Sequence, residues 1–117
     1  MSTRLPGTKY KRVFDRGRAL RGRLITAYVL RAADAGGQAG VVVSKKSFHD
    51  AVDRNRAKRI LREAFRLLSP ELVKDADWIL IGRSSLAGRK MMDVKDELKY
   101  LARKCGALSS SSCERIK

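Results

Sequence analysis

Arg54, Arg56, Lys58, Arg59, Arg62 and Arg66 crowd six cations into one short stretch of the chain, with a single acid, Glu63, among them. Guanidinium and ammonium groups at this density do one kind of chemistry well. They hold phosphate oxygens through charge-assisted hydrogen bonds. Chemistry that breaks bonds is poorly supplied. His49 is the only histidine, so a His-based acid–base pair or a His-rich metal site cannot be built. Asp93, Asp96 and Glu97 read as first-turn charges of a helix rather than as a catalytic cluster. Cys105 and Cys113 lie at no metal-ligand spacing and read as reduced thiols without a role. A protein nuclease or phosphotransferase is therefore disfavoured.

The cations need an element to carry them, and the stretch from Asp53 to Leu68 (DRNRAKRILREAFRLL) supplies one. At about 100° per residue, Ala57, Ile60, Leu61, Ala64, Phe65, Leu67 and Leu68 fill one arc of roughly 160°. Asn55, Lys58, Arg59, Arg62 and Arg66 fill the opposite arc. Asp53 is the expected N-cap, its carboxylate accepting from a first-turn amide. Arg54 and Arg56 then add positive charge where the helix dipole is already positive, a local cost expected where function overrides stability. Free amides and two guanidiniums together form a strong phosphate site. A solvated basic face is the plain alternative; the density and one-sidedness favour an RNA- or DNA-binding helix.

The remaining elements follow in order. Thr8 is expected to cap a short helix running to about Arg16, with Gly17 as a left-handed stop. Tyr10, Val13 and Phe14 share one face of it, with Lys9, Lys11, Arg12 and Arg16 around them. Aromatics at this spacing serve either as core or as a platform on which bases stack. A basic connector over 18–23 has room for a short strand. Leu24–Ala32 reads as a strand with Leu24, Thr26, Tyr28 and Leu30 on one face and Ile25, Ala27 and Val29 on the other. Asp34-Ala35-Gly36-Gly37 is a turn signal, and Gln38–Ser44 is expected to follow as the hairpin partner. Lys45 to Asp50 is a loop into the basic helix, and Ser69-Pro70 stops that helix. Asp77–Arg83 reads as a buried strand, closing a strand–helix–strand unit. Asp93 is expected to cap a last helix, with Val94, Leu98, Leu101, Ala102 and Cys105 on one face and Gly106 as its stop.

The order α-β-β-β-α-β-α gives an α+β fold, a small two-layer sandwich with helices packed on one face of a four-stranded sheet. The first helix, being short, can lie beside that sheet and leave a groove. Residues 1–108 are expected to form a single domain and 109–117 a disordered, Ser-rich tail.

Lys and Arg number 27 against 12 Asp and Glu, a formal charge of +15 over 117 residues. Such a charge attracts polyanions, and nucleic acid is the leading partner. No apolar segment long enough to span a membrane and no apolar run of a signal peptide occurs, so a cytoplasmic location without membrane contact is expected. A helix-turn-helix would need a packed helix just upstream of the basic one, where a strand hairpin is expected instead.

SKK at Ser44–Lys46, followed by AV-x-RNR-x-KR-x-x-REAF from Ala51 to Phe65, resembles the signature of the bacterial ribonuclease P protein subunit. YKRVF at Tyr10–Phe14 is similar to that family's first helix, and the strands holding Tyr28 and Trp78–Ile81 fall where the family has them. The resemblance spans roughly residues 5 to 105. One departure is the loop: the family usually has a glycine soon after SKK and one residue fewer before AV, whereas this chain has Ser47-Phe48-His49-Asp50.

The resemblance implies a fold like the second domain of ribosomal protein S5, with an unusual left-handed crossover through the RNR helix. It also implies a division of labour. An RNA subunit, with magnesium held mainly by that RNA, hydrolyses precursor tRNA to free the mature 5′ end, and the protein has no catalytic group and no identifiable metal site of its own. Tyr10, Phe14 and Tyr28 would line a cleft for the single-stranded 5′ leader. Lys45, Lys46, Arg54, Asn55, Arg56, Lys58, Arg59 and Arg62 would contact RNA. The implied partners are the ribonuclease P RNA and precursor tRNA, with no protein partner. A ribosomal or other structural RNA-binding protein is the alternative.

Overall fold

Two strands of seven residues, Ile25–Arg31 (β2) and Ala76–Gly82 (β4), pair antiparallel along their whole length and form the middle of the sheet. The computed structural model describes residues 5, 7–32 and 36–106, so the tail expected over 109–117 lies outside the described residues. Strand β1 (Arg18–Arg21) pairs antiparallel with β2, and β3 (Ala39–Val42) pairs parallel with β4, giving the order β1-β2-β4-β3. Helix α1 spans Tyr10–Arg16, α2 Ala51–Leu68 and α3 Met91–Lys104. The α-β-β-β-α-β-α order and the strand–helix–strand unit β3-α2-β4 are as the sequence predicts.

The expected hairpin between β2 and β3 does not form. β4 is inserted between them, because a strand buried on both faces belongs at the centre of a sheet and a four-residue strand containing glycine does not. Asp77 fixes the insertion. Its Oδ1 accepts from the Gly36 amide at 3.1 Å and the Gln38 amide at 3.4 Å, while Trp78 N donates to Gln38 O at 2.8 Å. The glycine turn is thus tied down onto β4 instead of closing a hairpin, with Gly37 at φ +71°.

Strand alternation divides the molecule into two packing zones. Ile25, Ala27 and Val29 of β2 and Ala76, Trp78 and Leu80 of β4 face α2 and α3. Ala57, Ile60, Leu61, Ala64, Phe65 and Leu68 of α2 and Val94, Leu98, Leu101 and Ala102 of α3 complete that core. Leu67, expected in the apolar arc, lies at its margin and is 38% exposed. On the other face, Tyr28, Leu30, Ile79, Ile81 and Val42 meet Leu5, Tyr10 and Val13. The helices therefore do not all pack on one face: α2 and α3 form the layer expected, and α1 lies across the opposite surface.

Local boundaries differ where side chains are used differently from the capping rules. α2 opens at Ala51, with Asp50 at the cap position, so Asp53 is a first-turn residue and not the N-cap. α3 opens at Met91, and Asp93 accepts from the Lys90 amide at 3.2 Å from inside the first turn. A 3-10 turn over Gly7–Lys9 precedes α1, with Lys9, not Thr8, at the cap position. Gly17 ends α1 in an extended conformation (φ −78°, ψ 165°) rather than a left-handed one. Glycine is needed there for closeness, since a Cβ would sit 2.3 Å from Val13 O and 3.0 Å from Val29 O.

Glu97 is not a first-turn charge. Its carboxylate accepts from the amides of Arg23, Leu24 and Ile25 at 2.9, 2.8 and 2.9 Å, which fastens the β1–β2 turn to α3. Glu97→Ala strands three donors, two of them partly buried, at a cost of about 2–3 kcal/mol. A thermal melt should show Tm lowered by roughly 10 °C, at about 4–5 °C per kcal/mol for a chain of this size; an unchanged Tm would mean that water replaces the carboxylate without loss.

Candidate nucleic-acid interface

The first surface is built on the α1 side of the sheet. Val13 is fully buried over Ile79, which turns its helical neighbours Tyr10 and Phe14 onto the flanking strands. Phe14 meets Tyr28 of β2 edge to face, with ring centroids 4.9 Å apart and planes at 70°. Tyr10 reaches the other way, over β3. A Cβ on Gly40 would fall 2.2 Å from the Tyr10 hydroxyl, so this glycine is what lets the phenol lie against the backbone. Lys9 stands 4.0 Å from Asp77 and ties the start of α1 to the sheet. The three aromatics predicted from the sequence are thus brought onto one shelf, with Phe14 38% exposed.

Beside that shelf runs a row that sequence reasoning missed in part. The register puts Arg21 opposite Thr26, Thr26 opposite Ile81, and Ile81 beside Val42. Thr26, Ile81 and Val42 are half-buried, and Arg21 at the outer end is exposed. Alternation already placed Thr26 with Tyr28. Val42, Ile81 and Arg21 needed the strand order, which the sequence does not reveal.

The second surface is the outer face of α2. Asn55, Lys58, Arg59, Arg62 and Arg66 border an open groove of about 530 Å³ whose floor is Ala39 and Val41 of β3 with Phe65 of α2. Glu63, also at the rim, is held by Arg66 through Nε–Oε1 at 3.1 Å and a second, shorter contact from Nη2. The Arg66 guanidinium keeps the Glu63 carboxyl below its usual range, and the carboxylate in turn raises Arg66. The pair cancels itself, which leaves Lys58, Arg59 and Arg62 as the charge of the groove.

Arg54 and Arg56 are used differently from the outward strip. Nη1 of Arg54 donates to Phe48 O and to His49 O, both at 2.9 Å. Nη2 of Arg56 donates to Arg89 O at 3.1 Å, in the loop before α3. Lys45 and Lys46 are exposed at the centre of a turn closed by Phe48 N to Ser44 O at 3.0 Å and Ser47 N to Ser44 Oγ at 3.2 Å. The residues that replace the family's glycine are thus an ordered turn, with Phe48 buried in the core behind it.

β3 joins the two surfaces. Ala39 and Val41 face the α2 groove, Gly40 and Val42 face the α1 shelf, and the Ser44–Ser47 turn leaves the strand's end between them. The arrangement suits two nucleic-acid strands at once: phosphates on the cations, and unpaired bases on the aromatic shelf.

Among the described residues, no three acidic, histidine or cysteine side chains converge to hold a metal ion. Several acids are already spent: Asp77 on two amides, Glu97 on three, Glu63 on Arg66 and Asp75 on Arg31. His49 is exposed in its loop. No helix among the described residues is long and apolar enough to cross a membrane.

The family model for Ribonuclease P matches residues 5–106. The chain is 34% identical over 93 residues to the ribonuclease P protein component of an Exiguobacterium species, covering 80% of each. To that of Xanthomonas oryzae it is 37% identical over 100 residues, covering 86% of this chain and 68% of the relative. The RNase P protein from Thermotoga maritima aligns with a TM-score of 0.73 at 25% identity, over 86% of this chain and 96% of that one. The Staphylococcus aureus RNase P protein shares the fold, with a TM-score of 0.77 at 22% identity over 93% and 100% of the two chains.

Proposed function

The chain belongs to the ribonuclease P protein family, and from that premise we propose that it holds precursor tRNA against an RNA subunit that performs the hydrolysis. As a protein component of ribonuclease P it is part of a tRNA-processing ribonucleoprotein with an RNA partner. The finer assignment is ours. The groove cations Lys58, Arg59 and Arg62, with Asn55 and the turn lysines Lys45 and Lys46, dock on the RNA subunit. Tyr10, Phe14 and Tyr28, with the row Thr26–Ile81–Val42, take the single-stranded 5′ leader. Magnesium held by the RNA, and not by residues of this chain, would activate the water for phosphodiester hydrolysis.

What most supports this reading is that the cationic groove and the aromatic shelf back onto the same edge strand, β3. One small protein can then bind the RNA subunit on one side and an unpaired strand on the other. Leader sequences differ between precursors, and stacking suits them because every base has a π-face. A charge of +15 between two polyanions also replaces part of their counterion atmosphere, so less magnesium is needed for docking. Binding energy goes mainly into substrate affinity and metal recruitment rather than bond breaking.

The test compares dissociation constants of precursor and mature tRNA with and without the protein bound to the RNA subunit. The protein should tighten precursor binding by about tenfold or more, the worth of one or two stacked bases, and leave mature tRNA nearly unchanged. Equal tightening of both would remove the leader from the account and leave only general charge neutralisation.

A further inference from the structure

The first arginine of the RNR run is the one least free to act as a simple phosphate ligand. Arg54 is half-buried, and its Nη1 forks onto two successive carbonyls, Phe48 O and His49 O, at 2.9 Å each. These carbonyls belong to the segment that carries Lys45 and Lys46 from β3 into α2. The segment is held at three further points. Ser44 O accepts from Phe48 N at 3.0 Å, Ser44 Oγ accepts from Ser47 N at 3.2 Å, and the Phe48 ring is 4% exposed in the core. Arg54 closes the last gap, between the anchored ring and the start of α2 at Ala51. Without it, Phe48 O and His49 O lose a charged donor, and the short link at His49-Asp50 has no other side-chain tie to the helix among the bonds described.

We propose that Arg54 is a positioning residue that acts on RNA through Lys45 and Lys46, by fixing the Ser44–Ser47 turn against the first turn of α2. This rests on the reading that the turn lysines dock on the RNA subunit. It explains why a cation stands where the helix dipole opposes one: the guanidinium is solvated by the dipoles of two loop carbonyls and does not depend on phosphate alone. Arg56 makes a single bond of the same kind, to Arg89 O in the loop on the other side of the helix, so its influence runs to a different loop.

The two possible roles of Arg54 differ in additivity. A group that acts only through a partner has no further effect once the partner is gone, whereas independent contacts add. The measurement is the affinity of the full-length protein for the RNA subunit, and its dependence on salt, for Arg54→Ala, Lys45→Ala/Lys46→Ala, the triple variant, and Arg56→Ala in both backgrounds. Two lost phosphate contacts should weaken binding by about 25-fold near physiological salt and reduce the slope of log K against log salt by roughly 1.5. Arg54→Ala alone should lose about tenfold with a similar fall in slope, since both lysines lose their aim. Added to Lys45→Ala/Lys46→Ala, it should cost less than about twofold, with no further change in slope.

Full additivity, with the slope falling again in the triple variant, would overturn the proposal and make Arg54 a direct phosphate ligand. Coupling of the same size for Arg56→Ala would overturn it too, as a sign of general loosening of α2. No effect of Lys45→Ala/Lys46→Ala, beside a normal loss on replacing the groove cations, would instead refute docking through the turn, which is a failure of the underlying reading. Should Arg54→Ala not fold, Arg54→Met keeps the aliphatic stem while removing the fork, and the same cycle applies.

Discussion

Replacing Lys58, Arg59 and Arg62 together by alanine should weaken binding to the RNA subunit by about a hundredfold near physiological salt. Each lost phosphate contact removes about 0.7–0.9 from the slope of log K against log salt, which is roughly 0.6–0.7 decades at ~0.15 M relative to 1 M, and three contacts make about two decades. The slope itself should fall by roughly 2–3. The fold should survive, because Arg59 and Arg62 are exposed on α2 and alanine is the better helix former. Arg66 is left in place deliberately: it is committed to Glu63, and its removal would release an acid into the groove. A triple variant that binds as tightly as the native protein, with an unchanged salt slope, would mean that the groove faces solvent in the complex.

The second large effect concerns the shelf. Phe14→Ala with Tyr28→Ala should abolish most of the protein's preference for precursor over mature tRNA, a loss of about 10- to 100-fold at 1–3 kcal/mol per unstacked base. Affinity for the RNA subunit should hardly change, since α2 and the Ser44–Ser47 turn are on other parts of β3's surroundings. The two rings support each other edge to face at 4.9 Å, so each single variant should already lose most of the effect of the pair. Equal losses for precursor and mature tRNA would point to damage in the α1 packing rather than to a lost stacking surface.

The elements most easily read from the sequence were those whose evidence is local. The two arcs of α2 follow from a period that any helix must have, and six of the seven predicted apolar residues are buried. The spacing of Tyr10 and Phe14 placed both on one side of α1 for the same reason. What could not be read depends on contacts between distant segments. The strand order is set by Asp77 holding the Gly36–Gln38 turn, a bond across some forty residues that no periodicity reports. The first residue of α2 differs from the expectation because Asp53 is a good cap by type, yet the helix runs back to Ala51 with Asp50 at the cap position and no side-chain cap bond to mark the boundary. Arg54 and Arg56 read as a phosphate site at the start of the helix, and the loop carbonyls they also hold are invisible to a helical projection. Glu97 was indistinguishable from its acidic neighbours until the β1–β2 turn came to rest on it.

These corrections share a physical form. Charged side chains near α2 and α3 are shared between two tasks, holding backbone and presenting charge, and only the second is visible in composition. The +15 charge suggested a polyanion partner; the structure separates the cations free to meet one from those that keep the loops in place.

The measurement that bears most directly on the central claim is cleavage of 5′-labelled precursor tRNA at a few millimolar magnesium, roughly a cellular level. It has three arms: the protein alone, a bacterial ribonuclease P RNA alone, and the two together. The protein alone should give no cleavage, the RNA alone weak cleavage, and the two together strong cleavage at the mature 5′ end. Cleavage by the pure protein would contradict RNA catalysis, and an RNA whose rate the protein does not raise would contradict its role as the subunit that holds the substrate.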